Sequence, residues 1–267
     1  MNQQSKVAVI GAGVMGEALI AALITSGVNP DRITISEKRE ERAQELISKY
    51  LIKAAPLTSN VADADALLLV VKPQDMAATL EQLSPHIKPE ALVISFAAGK
   101  TISSISAGLG KPNPVVRVMP NTPALIGLGA SGYSFGNGVT PAQRTFVAEF
   151  LAATGRAIEV PENLQDAVTA TSGSGPAYFF AFVEAMVAGA ETLGLSREAA
   201  TTLTIQTIVG AAALLERGED SPTTLREKVT SPNGTTAAAL ASFSSAGLSA
   251  IVADAMAAAA KRSQELA

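Results

Sequence analysis

The chain has 267 residues, and its 20 Lys and Arg side chains against 24 Asp and Glu give a net charge of −4 at pH 7. Its length predicts one large domain or two smaller ones, and the charge balance provides no basic surface for nucleic acid. It contains no cysteine and a single histidine, His86. This composition excludes thiolate catalysis, disulfides and Cys-ligated metals, and it argues against histidine-built metal sites and Ser-His-Asp hydrolysis. We therefore expect neither a metal nor a nucleic-acid partner.

Only 16% of the residues are charged, whereas 48% are apolar; about 25% charged residues is usual. So little charge predicts that part of the surface is buried in an oligomer. The most apolar stretch, residues 177–193, contains Glu184 and Glu191, so it does not form the charge-free window of about 18 residues that a membrane helix needs. The first six residues lead into a strand without an apolar signal core. We expect a cytoplasmic protein without a membrane segment.

Short β-branched runs alternate with helical patterns in the first 160 residues. Continuous apolar runs of this kind predict strands buried on both faces of a parallel sheet. They occur at Val7–Ile10, Ile33–Ser36, Ala66–Val71, Ala91–Ser95 and Val115–Met119. After Pro161, long stretches rich in Ala, Leu and Thr predict helices and no strand. The sequence therefore predicts an α/β domain at residues 1–160 and an all-helical domain at residues 161–267.

A glycine motif follows the first predicted strand and opens a helix; it reads Gly11-Ala12-Gly13-Val14-Met15-Gly16. Gly11 permits a tight turn, Gly13 lets the backbone approach a pyrophosphate, and Gly16 allows the helix to pack closely on the sheet. The N–H groups and the positive dipole end of the helix then meet the phosphates. In this context the motif predicts a Rossmann-type dinucleotide site, and the alternative is a purely structural turn.

The residues at the end of the second predicted strand bear on the choice of dinucleotide. An acid there binds the ribose 2′-hydroxyl of NAD, whereas basic groups bind the 2′-phosphate of NADP. Glu37 favours NAD if it faces the ribose, but it has the alternative of pairing along the next helix. Ser36, Lys38 and Arg39 offer three groups to a phosphate. Because charge-assisted phosphate contacts are the stronger kind, we expect NADPH to be used at least as well as NADH.

A hydroxyl-rich turn at residues 229–237 is the candidate for substrate binding. With no cysteine and one histidine, a nicotinamide must supply the chemistry while the protein orients and polarises the substrate. Hydride transfer to a C=N bond then needs a grip on the substrate and a hydrogen bond at its nitrogen. The N–H groups of the turn can hold a carboxylate, and Thr235 or Thr236 offers a hydroxyl. The alternative is an ordinary helix cap.

The chain resembles the pyrroline-5-carboxylate reductase family along essentially its whole length. Five segments carry the resemblance, in the family's order: Val70–Gln74, Ser95–Gly99, Arg117–Ala124, Thr171–Tyr178 and Thr230–Thr236. The resemblance implies NAD(P)H-dependent reduction of the C=N bond of 1-pyrroline-5-carboxylate to L-proline, the final step of proline biosynthesis. It also implies an N-terminal Rossmann-type domain, an all-α C-terminal dimerisation domain, and self-association through the latter into dimers and higher oligomers such as decamers.

The same resemblance implies individual site residues. The family's nucleotide contacts correspond to Gly11, Ala12, Gly13, Val14, Met15, Ser36, Lys38, Asn60, Val71, Lys72, Pro73, Ala97 and Ala98. Its substrate contacts correspond to Ser231, Gly234, Thr235, Thr236 and Glu162, with Thr236 at the catalytic position that hydrogen-bonds the imine nitrogen. Asn233 stands where the family usually has Gly. Because Asn tolerates left-handed backbone better than most residues, we expect the turn to be kept.

Two other functions fit parts of the sequence. A β-hydroxyacid dehydrogenase, or another imine reductase, would share the two-domain plan and the glycine motif. The hydroxyacid group has a catalytic lysine four residues after a Gly-x-Gly, and here Phe179 stands at that spacing after Gly175. Since oxidation of an alcohol needs a base, this argues against a hydroxyacid dehydrogenase. The other alternative is a non-catalytic dinucleotide-binding module, against which the intact loop motifs argue.

Overall fold

The structure is a computed structural model that describes residues 4–266, so residues 1–3 and 267 of the two predicted domains lie outside it. The strands are β1 (Val7–Ile10), β2 (Ile33–Ser36), β3 (Lys53–Ala54), β4 (Ala66–Leu69), β5 (Leu92–Ser95), β6 (Val115–Met119), β7 (Gly129–Phe135) and β8 (Gly155–Glu159). The helices are α1 (Val14–Thr25), α2 (Glu40–Tyr50), α3 (Leu57–Ala62), α4 (Met76–Leu83), α5 (Ile102–Leu109), α6 (Pro141–Ala152), α7 (Gln165–Val168), α8 (Gly175–Thr192), α9 (Arg197–Arg217), α10 (Pro222–Lys228), α11 (Thr235–Ser245) and α12 (Leu248–Gln264).

The strands form one sheet in the order β3-β2-β1-β4-β5-β6-β7-β8. Neighbouring strands are parallel except β6 and β7, which pair antiparallel. The chain runs outward from β1 to β3 and then continues on the other side of β1 with β4. This reversal between β1 and β4 is the switch point of doubly wound nucleotide-binding sheets, where ligands bind beyond the carboxyl ends of the strands. The predicted Rossmann-type fold is confirmed.

The core lies on both faces of this sheet. All four residues of β1 are buried, with Val7 and Val9 in one apolar layer and Ala8 and Ile10 in the other. One layer also contains side chains from α1 and α6, and the other contains side chains from α4 and α5. Burial on both faces explains why β1, β4 and β5 read as continuous apolar runs. By contrast β2, with the sequence ITIS, alternates between buried and half-buried residues.

The five predicted strands are present, with small differences at two ends: β4 ends at Leu69 rather than Val71, and β5 begins at Leu92 rather than Ala91. Three further strands, β3, β7 and β8, were not predicted. β3 has two residues, and β7 has the sequence GASGYSF, which lacks an apolar run. Backbone pairing with β6 on one side and β8 on the other holds β7 in the sheet. Such pairing leaves little trace in the side-chain pattern.

The chain divides into two compact units, residues 1–176 with 258–267, and residues 177–257. The first unit continues beyond β8 because α7 packs on β7: a Cβ placed on Gly132 would lie 2.7 Å from methyl carbons of Val168. A π-helical turn, Thr169–Gly173, follows α7 in the same unit. These units are defined by packing, and the domain boundary between residues 160 and 161 stays a prediction.

The second unit is helical, and within its described residues few side chains are buried; they include Val187, Ala200 and Thr204. Among the described residues α9 is, by length and composition, able to cross a membrane, and α11 and α12, bent by 52°, pass the same test together. Only 11% of the apolar window of α9 is buried. Because core helices of soluble proteins also pass this test, it is weak support for a membrane segment.

Candidate active site

The glycine motif forms a tight turn between β1 and α1. Gly11 has φ +89°, and a Cβ there would lie 2.6 Å from the carbonyl oxygen of Val70 at the end of β4. A Cβ on Gly16 would collide with the Gly11 carbonyl. By contrast, apart from its neighbours in the chain, no heavy atom of the described residues lies within 4 Å of a Cβ placed on Gly13. The protein's own packing therefore requires glycine at residues 11 and 16, while the space beside Gly13 is open to a ligand.

The first N–H groups of α1 are available at this turn. Gly13 precedes the helix and has no side chain that could cap it. The N–H groups of Val14 and Met15, in the first turn, have no intrahelical partner, and Val14 is 62% exposed. Together with the positive end of the helix dipole, these groups form a site suited to a pyrophosphate. The residues present thus fit a bound dinucleotide.

The same turn is supported by Glu37, which follows β2, by Arg42 of α2 and by the backbone at the end of β2. Glu37 Oε2 accepts a hydrogen bond from the Ala12 N–H at 3.1 Å, and Arg42 Nε donates to the Ala12 carbonyl at 3.2 Å. Gly11 N–H donates to the Ser36 carbonyl at 3.0 Å. Both polar backbone groups of Ala12 are therefore engaged within the protein, and hydrogen bonds from neighbouring segments hold the turn in place.

Glu37 is turned inward, with 8% of its side chain exposed. Its Oε1 accepts from the N–H and the Nε of Arg39 at 3.0 and 2.9 Å. Burial acts to raise the pKa of the Glu37 carboxyl, but the hydrogen bonds from Arg39 and Ala12 outweigh it and hold the pKa below its ordinary value. Glu37 is thus a carboxylate that pairs locally with Arg39 and supports the glycine turn.

A second carboxylate, Glu17, anchors α1 to α2. It accepts hydrogen bonds from Lys49 Nζ at 2.8 Å, from Tyr50 Oη at 3.0 Å and from Arg42. The Lys49 hydrogen bond, together with those from Arg42 and Tyr50, outweighs burial and lowers the pKa of Glu17 to about 2. No motif in the sequence predicts this cluster. Its signal is the seven-residue spacing of Arg42 and Lys49, which places two cations on one face of α2.

The remaining predicted nucleotide residues lie at the ends of neighbouring strands. Val71, Lys72 and Pro73 follow β4, whereas Ala97 and Ala98 follow β5. Because β1, β4 and β5 are adjacent and parallel, their carboxyl ends bring these residues to the edge that carries the glycine turn. Their contacts with a cofactor stay predictions.

Ser36 and Asn60 are tied to each other within the protein. Asn60 is 7% exposed, and its Nδ2 donates to Ser36 Oγ at 2.9 Å and to the Thr34 carbonyl at 3.1 Å. Ser36 Oγ in turn donates to the Ala55 carbonyl at 3.0 Å. Both side chains brace the second strand, and the nucleotide contacts assigned to them stay predictions.

Glu162, predicted in the substrate site, lies just after β8. Its Oε1 accepts a hydrogen bond of 2.6 Å from the N–H of Ile102, the first residue of α5, and lies 3.7 Å from Arg117 Nη1. Its side chain is 34% exposed. The carboxylate thus sits directly after the turn that carries Ala97 and Ala98. A contact with substrate stays a prediction for Glu162.

The predicted substrate turn belongs to the second unit and leads into α11. Gly234 precedes the helix, Thr235 begins it, and Asn233 has φ +58°, which confirms the expected left-handed backbone. A Cβ on Gly234 would collide with Ser231 Oγ. Among the described residues, the Thr236 hydroxyl has no hydrogen-bond partner. The turn therefore presents open helix N–H groups and a free hydroxyl, whose roles toward a substrate stay predictions.

The described part of the chain contains no group of three or more His, Asp or Glu side chains placed to hold a metal ion. Backbone N–H groups at the starts of α1 and α11, together with the Thr236 hydroxyl, are open to a ligand instead. Such groups suit a pyrophosphate and a small carboxylate.

Comparison with known proteins gives consistent results over the whole chain. Residues 162–266 match a family model described as pyrroline-5-carboxylate reductase dimerisation, and residues 6–99 match one described as NADP oxidoreductase, coenzyme F420-dependent. A curated pyrroline-5-carboxylate reductase of Pseudomonas aeruginosa is 47% identical over 264 residues, which cover 98% of this chain and 97% of that protein.

Solved structures agree with the sequence comparison. A pyrroline-5-carboxylate reductase of Coxiella burnetii is 35% identical with a TM-score of 0.90, and 99% of each chain is covered. The pyrroline carboxylate reductase of Plasmodium falciparum with NADP bound is 26% identical with a TM-score of 0.89, covering 100% of this chain and 99% of that one. Identity at this level over nearly the full length, with the family's motifs in order, establishes the relationship. The chain belongs to the pyrroline-5-carboxylate reductase family.

Proposed function

We propose that the chain reduces 1-pyrroline-5-carboxylate to L-proline by hydride transfer from NAD(P)H, as the final step of proline biosynthesis. The reaction makes it an oxidoreductase acting on CH–NH groups. The observation that carries the proposal is the 47% identity, over 98% of the chain, to a curated enzyme of that name. The open glycine turn at the switch point of the sheet supports it independently, because it suits a dinucleotide.

The chain's own residues bind and orient the reactants. The N–H groups of Val14 and Met15 hold the pyrophosphate, and Ala97 and Ala98 line the nicotinamide end. When bound, the reduced nicotinamide supplies the hydride. The protein therefore needs no side-chain nucleophile, in keeping with a chain that has no cysteine.

The turn at the start of α11 binds the substrate. Its N–H groups, with Ser231 and Gly234, hold the carboxylate, since a helix start favours an anion. The Thr236 hydroxyl hydrogen-bonds the ring nitrogen. As hydride reaches the neighbouring carbon, that nitrogen changes from planar to tetrahedral, and a hydroxyl is able both to donate to the imine and to accept from the product N–H.

NADPH is the proposed cofactor, used at least as well as NADH. Both oxygens of the Glu37 carboxylate already accept hydrogen bonds, from Ala12 and from Arg39. Two cations follow β2 at the surface: Lys38 is exposed, and the Arg39 side chain is 65% exposed although its Nε donates to Glu37. A 2′-phosphate therefore meets two cations, whereas a 2′-hydroxyl meets a carboxylate that is already satisfied.

Initial-rate kinetics with pyrroline-5-carboxylate and each reduced cofactor test the activity. We expect oxidation of NADPH that depends on the imine, with kcat/KM at least equal to that for NADH. A hydroxyacid such as 3-hydroxyisobutyrate serves as the control, and it should not reduce NADP+. Cofactor binding without turnover of the imine would show a dinucleotide-binding module and would refute the proposed enzyme.

The cofactor preference has its own test. Replacing both Lys38 and Arg39 by Ala should lower kcat/KM for NADPH at least tenfold, because charge-assisted phosphate contacts are lost, and should change the value for NADH little. Arg156→Ala, which removes an exposed cation from edge strand β8, is the matched control. An unchanged preference in the double variant would make Glu37 the decisive residue and would overturn the choice of NADPH.

The chain also self-associates through the helical unit and forms dimers and higher oligomers such as decamers. Exposed apolar side chains on α8 and α9 support it, and so does the description of the family model that matches residues 162–266. Light scattering at micromolar concentration should give a mass of at least two chains, and a monomeric mass would contradict it. A cytoplasmic location without nucleic-acid or membrane partners stays our expectation.

A further inference from the structure

The end of α12 packs directly against the turn that follows β5. Gly99 in this turn has φ +77°, and a Cβ placed on it would lie 2.6 Å from both the carbonyl oxygen of Ser263 and the Cβ of Leu266. Glycine is therefore required at residue 99 both by its backbone conformation and by its close contact with the helix end. The last helical residues thus support the segment that carries Ala97 and Ala98.

A series of polar contacts starts at the same end of α12. Ser263, which is 2% exposed, donates from Oγ to Asp166 Oδ1 at 2.7 Å. The same carboxylate oxygen lies 3.4 Å from Arg117 Nη2. Asp166 therefore joins the end of α12 to β6, although Ser263 and Asp166 are 97 residues apart in sequence.

Arg117 connects this series of contacts to the other end of the turn between β5 and α5. Its side chain is 6% exposed and lies between two carboxylates, Asp166 and Glu162, with Nη1 3.7 Å from Glu162 Oε1. Glu162 Oε1 accepts the 2.6 Å hydrogen bond from the Ile102 N–H at the start of α5. The turn between β5 and α5 is thus held at Gly99 by the helix end and at Ile102 by Glu162, and the buried guanidinium links the two supports.

We propose that Ser263 is a positioning residue for hydride transfer: its hydrogen bond to Asp166 keeps the end of α12 on Gly99 and so fixes the turn that carries Ala97 and Ala98. This inference rests on the proposed function, which places Ala97 and Ala98 at the nicotinamide. The glycine turn after β1 binds the phosphates separately. Loosening the β5 turn should therefore misplace the reacting ring without releasing the dinucleotide. Hydride transfer is sensitive to such displacement, since about 1 Å can cost a hundredfold in rate.

The first test is a kinetic comparison of three variants. Ser263→Ala should lower kcat for imine reduction about tenfold and leave the dissociation constant of NADPH within about twofold. Ser263→Thr keeps the hydroxyl and should recover most of kcat. Ser48→Ala makes the same chemical change at an exposed helical position on α2 and should match the unaltered protein. A normal kcat in folded Ser263→Ala would overturn the proposal.

Hydrogen exchange gives a second readout that needs no substrate. In Ser263→Ala the amide of Ile102 and the peptide spanning residues 97–102 should exchange at least several-fold faster, while peptides from the glycine turn stay unchanged. If kcat fell without faster exchange in this segment, Ser263 would not act through the turn and the proposal would fail. If the unaltered protein did not reduce the imine but the exchange result held, the proposed function would fail while the support of the turn by Ser263 would stand.

Discussion

The two compact units bury their apolar side chains very differently. In the first, Leu19 and Phe150 are fully buried on one face of the sheet and Leu67 is fully buried on the other. In the second, Phe179 is 61% exposed and Leu203 is 58% exposed. Burial of apolar surface is the main favourable term in folding, at roughly 25 cal/mol per Å². The first unit therefore has a core of its own, whereas large exposed apolar faces like those of the second mark an interaction surface.

The two turns that are predicted to bind the cofactor and the substrate differ in the same way. The cofactor turn is held from inside the first unit, since Glu37 and Arg42 engage both backbone groups of Ala12. In the substrate turn, residues 231–236 are exposed or half-buried, and within the described residues the Thr236 hydroxyl has no partner. The first turn is held by side chains of its own unit, whereas the second is open, in keeping with its predicted role in substrate binding.

The largest effect expected is at the open turn. Thr236→Ala should lower kcat for imine reduction by about 10²–10³, the typical loss when a hydrogen bond that strengthens in the transition state is removed. Because the backbone N–H groups of the turn still hold the carboxylate, KM should rise less than kcat falls. Steady-state kinetics measure both. Thr236→Ser keeps the hydroxyl and should retain most activity. A near-normal kcat in the alanine variant would reduce Thr236 to a helix residue without a catalytic role.

A charge on the exposed apolar face of α9 should break self-association. Leu203→Glu would bury an unpaired carboxylate in the contact, and this penalty of several kcal/mol should weaken the dimer about a hundredfold. Sedimentation or light scattering over a dilution series measures the shift to monomer. Thr202→Glu adds the same charge at a polar position of the helix and is the control. Unchanged association of both variants would place the contact elsewhere.

Substitutions at two glycines of the same motif distinguish an effect on the stability of the fold from an effect on ligand binding. Gly16→Ala pushes a methyl group into the Gly11 carbonyl and should destabilise the first unit by about 1–3 kcal/mol. Gly13→Ala meets no described atom within 4 Å, so its melting temperature should stay normal while its dissociation constant for NADPH rises about tenfold or more. Thermal melts and NADPH fluorescence titrations give the two measurements. Normal NADPH binding by Gly13→Ala would mean that the pyrophosphate does not approach this backbone.

The smallest effect concerns the Glu17 cluster. Its carboxyl has a pKa of about 2, against 4.5 for the unperturbed group. The ionised, hydrogen-bonded form therefore stabilises the fold fully above about pH 4.5, and this contribution is lost as pH falls toward 2. Glu17→Gln should lower the free energy of unfolding at pH 7 by about 1 kcal/mol, with the difference between the two proteins shrinking at acid pH. A difference that is constant between pH 7 and pH 3 would show that the charge of Glu17 is not the cause.

Strand prediction succeeded where burial leaves a pattern and failed where it does not. The runs at β1 and β4 are apolar because both faces of these strands are covered. β7 carries Gly, Ala and Ser and is defined by its pairing with β6 and β8. At the candidate site, the sequence alone predicted the glycine turn and the hydroxyl-rich turn before α11. It left open whether Glu37 faces a ribose, and the structure turns its carboxylate toward Ala12 and Arg39.

By itself the sequence determined the features that depend on local geometry and on composition. The glycine motif at residues 11–16 directly after an apolar run predicted a tight turn before a helix, and a chain without cysteine has no thiolate chemistry. Only the tertiary structure decided which distant side chains share a contact, such as Arg42 with the Ala12 carbonyl or Ser263 with Asp166. A turn or an apolar run is set by neighbours in the chain. The partner of a polar side chain is set by how whole helices and strands pack, and residue spacing does not record that arrangement.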